Sequence, residues 1–72
     1  LVICGAMSHM CIDATTRAAF DLGFKCTVVE DACATRDLAF HGETVAAKDV
    51  HAAFMAALSV PYASVVSNED FI

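Results

Sequence analysis

The chain of 72 residues carries nine acidic and four basic side chains, a formal net charge of −5, yet 58% of it is hydrophobic. Its few cations, Arg17, Lys25, Arg36 and Lys48, are scattered, so no basic patch is present to neutralise phosphates, and a nucleic-acid partner is excluded. A free-standing domain of this size buries only about 60% of its unfolded surface and needs a polar exterior, so so apolar a sequence reads as part of a larger domain or as a chain covered by others, and the lack of an initiator Met reads the same way.

In chain order, Leu1 to Ala6 is a continuous apolar run ending in Gly5-Ala6, too short for a helix and without alternation. That pattern predicts a strand buried on both faces, as in a parallel sheet. Met7-Ser8-His9 follows as a turn, with Ser8 expected to cap a helix that runs to Leu22. Cys11, Ala14, Thr15, Ala18, Ala19 and Leu22 recur at helical spacing and predict its buried face. Asp13, Arg17 and Asp21 stand four apart, so Arg17 pairs with either neighbour on the solvent side. Gly23 supplies the stop. Phe24 to Val29 reads as a second strand, and Glu30 to Asp37 and Leu38 to Glu43 as loop, with His41-Gly42 as a turn signal.

A second helix starts between Thr44 and Ala47 and ends at Leu58, with Val50, Phe54, Ala57 and Leu58 on its core face. Pro61 closes it. Tyr62 to Val66 is a third strand, and Asn68 to Ile72 a tail. Strand, helix, strand, helix, strand predicts a parallel α/β sheet with both crossover helices on one face. The longest apolar-rich stretch, Ala52 to Val66, is interrupted by Ser59, Pro61 and Ser64 and falls short of the roughly 18–20 apolar residues of a membrane span. Asp13 and Arg17 follow the opening run too closely, and no basic region precedes it, for a secretory leader. Four cysteines without a CxxC or CxxH pair argue against zinc and against a disulfide framework. The expectation is a reduced, cytoplasmic protein in which Cys4 and Cys26 fill buried strands.

The chemistry concentrates at Gly5-Ala6-Met7-Ser8-His9-Met10-Cys11. A cysteine in the first turn of a helix meets unpartnered backbone N–H groups and the positive end of the helix dipole, and both favour the nucleophilic thiolate. This stretch, continued by Ile12-Asp13, Thr16-Arg17-Ala18-Ala19 and Asp21-Leu22-Gly23, resembles the cysteine-bearing segment of the isochorismatase-like cysteine hydrolases. That group includes nicotinamidases, N-carbamoylsarcosine amidohydrolase and ureidoacrylate amidohydrolase. The resemblance extends through VVEDACATRDL, VHAAFMAAL and YASVV, nearly the whole chain.

The resemblance implies a three-layer α/β/α, Rossmann-like hydrolase fold, of which residues 1–72 match the C-terminal β-α-β-α-β half. It implies that Cys11 is the nucleophile and that the Ala6–Met7 peptide is cis, aiming the Met7 N–H, with that of Cys11, at a developing oxyanion. It implies an Asp and a Lys that complete the triad and that normally lie upstream; Asp13, Asp31 and Lys48 match other family positions. The metal-binding residues of nicotinamidases lie upstream as well, so neither a metal nor a cofactor is assigned to these residues.

The expected reaction is cleavage of a non-peptide C–N bond of a small-molecule amide through a thioester on Cys11, with Ser8 and His9 as substrate contacts. A homo-oligomer is expected, and no membrane partner. His9 is otherwise a loop residue, His41 and His51 are structural or interfacial, and Asp31 supports the Cys11 loop by a hydrogen bond. Two other classes stay open: a non-catalytic binding or assembly module on the same fold, and a redox-active thiol protein with Cys33 as partner of Cys11.

Overall fold

A computed structural model describes residues 1–71. Strands β1 (Val2–Ala6), β2 (Thr27–Ala34) and β5 (Ser64–Val66) form one parallel sheet in the order β1-β2-β5. Val2 pairs with Thr27 and Ile3 with Val28; Thr27, Val28 and Val29 pair on their other side with Ser64, Val65 and Val66. A π-helical turn, Ser8–Ile12, leads from β1 into helix α1 (Asp13–Asp21), and helix α2 (Ala47–Leu58) joins β2 to β5. The two helices pack against one another, which places both on one face of the sheet, as right-handed crossovers demand. No helix among the described residues is long and apolar enough to cross a membrane.

The core lies between that face and the helices. Ile3, Ile12, Ala19, Cys26, Val28, Met55 and Leu58 form one buried cluster, flanked by the half-buried Tyr62, Ala63 and Val65. On β1 the side chains alternate: Ile3 points into the cluster, while Val2 and Cys4 face the other way and are exposed. Cys4, expected to be buried, therefore lies on the uncovered side of the sheet among the described residues. Leu58 and Val28 are fully buried, and full burial of such a side chain is worth about 1.5–3 kcal/mol.

Several boundaries differ from the sequence pattern, each for a local reason. The second and third strands begin at Thr27 and Ser64 rather than at Phe24 and Tyr62. The stretch from Glu30, expected as loop, continues β2 to Ala34 because a bulge carries the chain on: Val29–Ala32 lie against Cys4 alone before Gly5 pairs with Cys33 and Ala6 with Ala34. Leu38–Phe40 (β3) and Glu43–Val45 (β4) form an antiparallel hairpin where a loop was expected. His41 and Gly42 both take positive φ, 51° and 80°, as a two-residue hairpin turn with the twist of its strands requires.

On α1 the buried residues are Thr16 and Ala19, preceded by Ile12 in the π-helical turn; Cys11, Ala14, Thr15, Ala18 and Leu22 of the expected face are exposed. The core stripe is Ile12, Thr16 and Ala19, one residue on from the Cys11 register, and it admits the polar Thr16 because its hydroxyl donates to the Ile12 carbonyl at 2.7 Å. On α2, Met55 is buried where Ala57 was expected. Asn68–Phe71 forms a short helical turn (α3) rather than a tail; the expected tail's last residue, Ile72, lies outside the described residues.

Candidate active site

In a parallel sheet crossed over by helices, the strands' carboxyl ends, the loops that leave them and the helix starts share one edge. At that edge β1 ends in Gly5-Ala6, with Gly5 at φ +128°, and the peptide between Ala6 and Met7 is cis. Met7 is extended, and the π-helical turn begins at Ser8. The Met7 carbonyl accepts hydrogen bonds from the Met10 N–H at 3.0 Å and the Ile12 N–H at 3.3 Å, on either side of Cys11. Cys11 itself is exposed. The backbone of Ala6, Met7 and Cys11 thus frames one thiol at the mouth of a helix.

Ser8 and His9 hold this turn in place. Ser8 is not a helix cap: Met7 occupies the cap position, and no side chain there bonds a first-turn N–H. The Ser8 side chain turns inward instead and is fully buried. Its Oγ lies 2.8 Å from Nδ1 of His51 on α2 and 3.5 Å from the carbonyl oxygen of Ala34 at the end of β2. His9 is half-buried, with Nδ1 2.7 Å from the Thr35 hydroxyl and its ring edge-on to Phe54 of α2. The turn is therefore fastened to both neighbouring elements, β2 and α2, by consecutive residues.

Around this frame the other sequence candidates sort themselves. The Cys33 thiol is half-buried on β2 and donates to the Val29 carbonyl at 3.4 Å. Burial pushes its ionisation up, aided by the charges of Cys4, Glu30 and Asp31 and opposed by a backbone hydrogen bond from Gly5. A thiol so held is a poor nucleophile and a poor resolving partner. Asp31 accepts from the Asn68 N–H at 2.7 Å; it ties the bulge of β2 to α3, not to the Cys11 turn. Arg17 chooses Asp13, at 2.9 Å, and lays its guanidinium over the Tyr62 ring at 4.5 Å, a surface arrangement that joins α1 to the chain ahead of β5.

Two depressions flank the sheet. Beside the Cys11 edge, the β3–β4 hairpin and α2 enclose an apolar groove of about 400 Å³ lined by Leu38, Phe40, Val45, Val50 and Phe54. At the opposite edge, a cavity of about 260 Å³ lies among Phe20, Phe24, Pro61 and Tyr62, next to the cis Val60–Pro61 peptide. Phe54 links the first groove to the site, because it carries His9. Reasoning from sequence missed Phe54's part and that of His51. The signal was available in their spacing: three apart on a helix, the two stand on one face.

The parallel sheet and the crossover helices define an α/β protein of the Rossmann-like type, with a cysteine turn at the strands' carboxyl edge. The isochorismatase domain model matches residues 1–70. The uncharacterised isochorismatase family protein YddQ of Bacillus subtilis (strain 168) is 57% identical over the whole chain, which spans 40% of that relative. Among solved structures, an isochorismatase hydrolase from Oleispira antarctica superposes with a TM-score of 0.96 at 65% identity, over 99% of this chain and 38% of that one. An isochorismatase from Pseudomonas putida KT2440 gives the same TM-score, 0.96, at 43% identity, over 100% of this chain and 37% of its own. The chain belongs to the isochorismatase family.

Proposed function

We propose that the chain carries the nucleophile of a cysteine hydrolase that cleaves a C–N bond in a small-molecule amide. The observation that carries the reading is the exposed Cys11 in the turn between β1 and α1, at the sheet edge where ligands of parallel α/β proteins bind. The Cys11 thiolate attacks the amide carbonyl carbon and forms the C–S bond. Negative charge moves to the carbonyl oxygen, which the N–H groups of Met7 and Cys11 receive. The tetrahedral intermediate collapses, the C–N bond breaks, and the amine leaves with a proton supplied by an acid from outside these 72 residues. Water then attacks the thioester, releasing the carboxylic acid and the thiol. His9 lines the approach to the thiol, and Ser8 serves the site through its backbone while its side chain stays buried.

The test is replacement of Cys11 by Ala in the protein at its natural length, with release of ammonia or amine from a panel of small primary amides and N-carbamoyl compounds as the readout. Loss of turnover in Cys11→Ala is the expected result. Turnover equal to the parent's removes Cys11 from the chemistry.

A further inference from the structure

The contacts of the turn with α2 go beyond packing. Ser8 has a single hydroxyl hydrogen and two partners, the Ala34 carbonyl oxygen at 3.5 Å and His51 Nδ1 at 2.8 Å. Both contacts are hydrogen bonds together in one arrangement only: His51 donates its Nδ1–H to the Ser8 oxygen, and Ser8 donates to Ala34. The result is a chain of two bonds running from α2, through the buried side chain of the turn, to the end of β2. It passes one residue from Met7 and three from Cys11, whose N–H groups are the proposed oxyanion donors. A second fastening runs beside it, from Phe54 through His9 to Thr35. His51 and Phe54 thus reach consecutive turn residues from one face of α2, and Ala34 and Thr35 receive them on consecutive residues of the other side.

We infer that His51 is a positioning residue for the oxyanion site: through Ser8 it sets where the Met7 and Cys11 N–H groups point. This rests on the reading of Cys11 as nucleophile. The geometric demand is strict, because donors at such a site act only from about 2.7–3.1 Å of the developing oxyanion, and a misplacement near 1 Å costs on the order of 100-fold in rate. A buried serine hydroxyl left without its partner is the kind of defect that produces such a shift.

Two reagents separate this role from general support of the fold. p-Nitrophenyl acetate acylates the thiol: the thiolate attacks the acetyl carbon, a C–S bond forms, and p-nitrophenolate leaves with the electron pair of the broken C–O bond. That reaction passes through an oxyanion. Iodoacetamide alkylates the same thiol by displacement of iodide at a saturated carbon, and no oxyanion forms. Both rates are measured on the natural-length protein for the parent, His51→Leu, His51→Asn, Ser8→Ala and Cys11→Ala.

His51→Leu is expected to slow acylation by about 10- to 100-fold while alkylation of Cys11 stays within about threefold. His51→Asn, whose amide nitrogen donates from nearly the place of Nδ1, is expected to recover most of the acylation rate. Ser8→Ala removes the same bond from its other end by a single atom and is expected to show the same split, so the inference stays testable should His51→Leu not fold. The double variant Ser8→Ala, His51→Leu is expected to be no slower than the slower single variant. Acylation unchanged in His51→Leu, an equal loss of both rates, or no recovery in His51→Asn overturns the inference. Acylation unchanged in Cys11→Ala overturns the nucleophile reading itself, and the inference with it.

Discussion

Helices α1 and α2 both begin at the carboxyl edge of the sheet, and they begin differently. The start of α2 is closed: the Asp37 carboxylate reaches across from outside the helix and accepts the Ala47 N–H at 2.6 Å. Its own cap residue is Ala46, which has no hydrogen-bonding side chain to offer, and Thr44, the expected cap, lies in β4 instead. The run into α1 is left open: Met7 holds the cap position, no side chain caps it, and the one hydroxyl at hand, on Ser8, is turned into the core. One start is stabilised by a fixed carboxylate, where anionic oxygen meets the helix dipole. At the other no side chain takes a first-turn N–H: those of Met10 and Ile12 go to the Met7 carbonyl, and those of Met7 and Cys11 are the proposed oxyanion donors. The difference teaches where the fold spends its polar groups: on stability at α2, and at α1 on aiming a turn.

The comparison is broken most severely at Cys11. Cys11→Ala is expected to lower amide turnover by at least about a thousandfold, read as initial rates, with the urea unfolding midpoint nearly unchanged because the side chain is exposed. Next in size is Gly5→Ala, in the strand end that feeds the open start. A Cβ there meets Ile12 Cδ1 at 3.7 Å, an ordinary contact, but φ is +128°. The expected loss of about 1–3 kcal/mol in urea unfolding therefore comes from the backbone conformation, not from crowding. Gly5→Ala should also slow acylation, since the turn follows directly.

Asp37→Ala attacks the closed start and should cost about 1 kcal/mol of stability while p-nitrophenyl acetate acylates Cys11 at the parent rate. Equal damage to acylation would mean that the two helix starts are not separate in function. The smallest effect concerns Cys33. Burial raises its folded pKa above the unfolded value, so the folded state holds this proton more tightly. Its contribution to stability is present below the ordinary thiol range and is lost as pH rises through the raised value. Alkylation followed by peptide mass analysis should accordingly find Cys33 lagging behind Cys11, with Cys33 catching up only at alkaline pH.

Much of this was legible from residue pattern, and the exceptions have causes. The order of strands and helices, the parallel sheet and the Leu58 end of α2 follow from apolar runs separated by Gly23 and Pro61, because sharp local signals survive into the fold. The hairpin over Leu38 to Val45 escaped notice because its strands are short and mostly exposed, although His41-Gly42 marked its turn. The continuation of β2 was hidden by Glu30 and Asp31, charged residues that sit in a bulge, where pairing with β1 lapses. Ser8 misled because a serine before a helix is usually a cap; only the three-dimensional approach of α2 reveals that His51 claims its hydroxyl. The same holds for Phe54 and His9, partners that no spacing along the chain brings together.

The central claim is that the open helix start presents Cys11 as an acyl acceptor. Its most direct test is to treat the natural-length protein briefly with p-nitrophenyl acetate, quench in acid, and locate the acetyl group by peptide mass spectrometry. One acetyl is expected, on the peptide containing Cys11, formed with the burst of p-nitrophenolate and discharged as water turns the thioester over. An acetyl on Cys4, Cys33 or a lysine with Cys11 unmodified contradicts it.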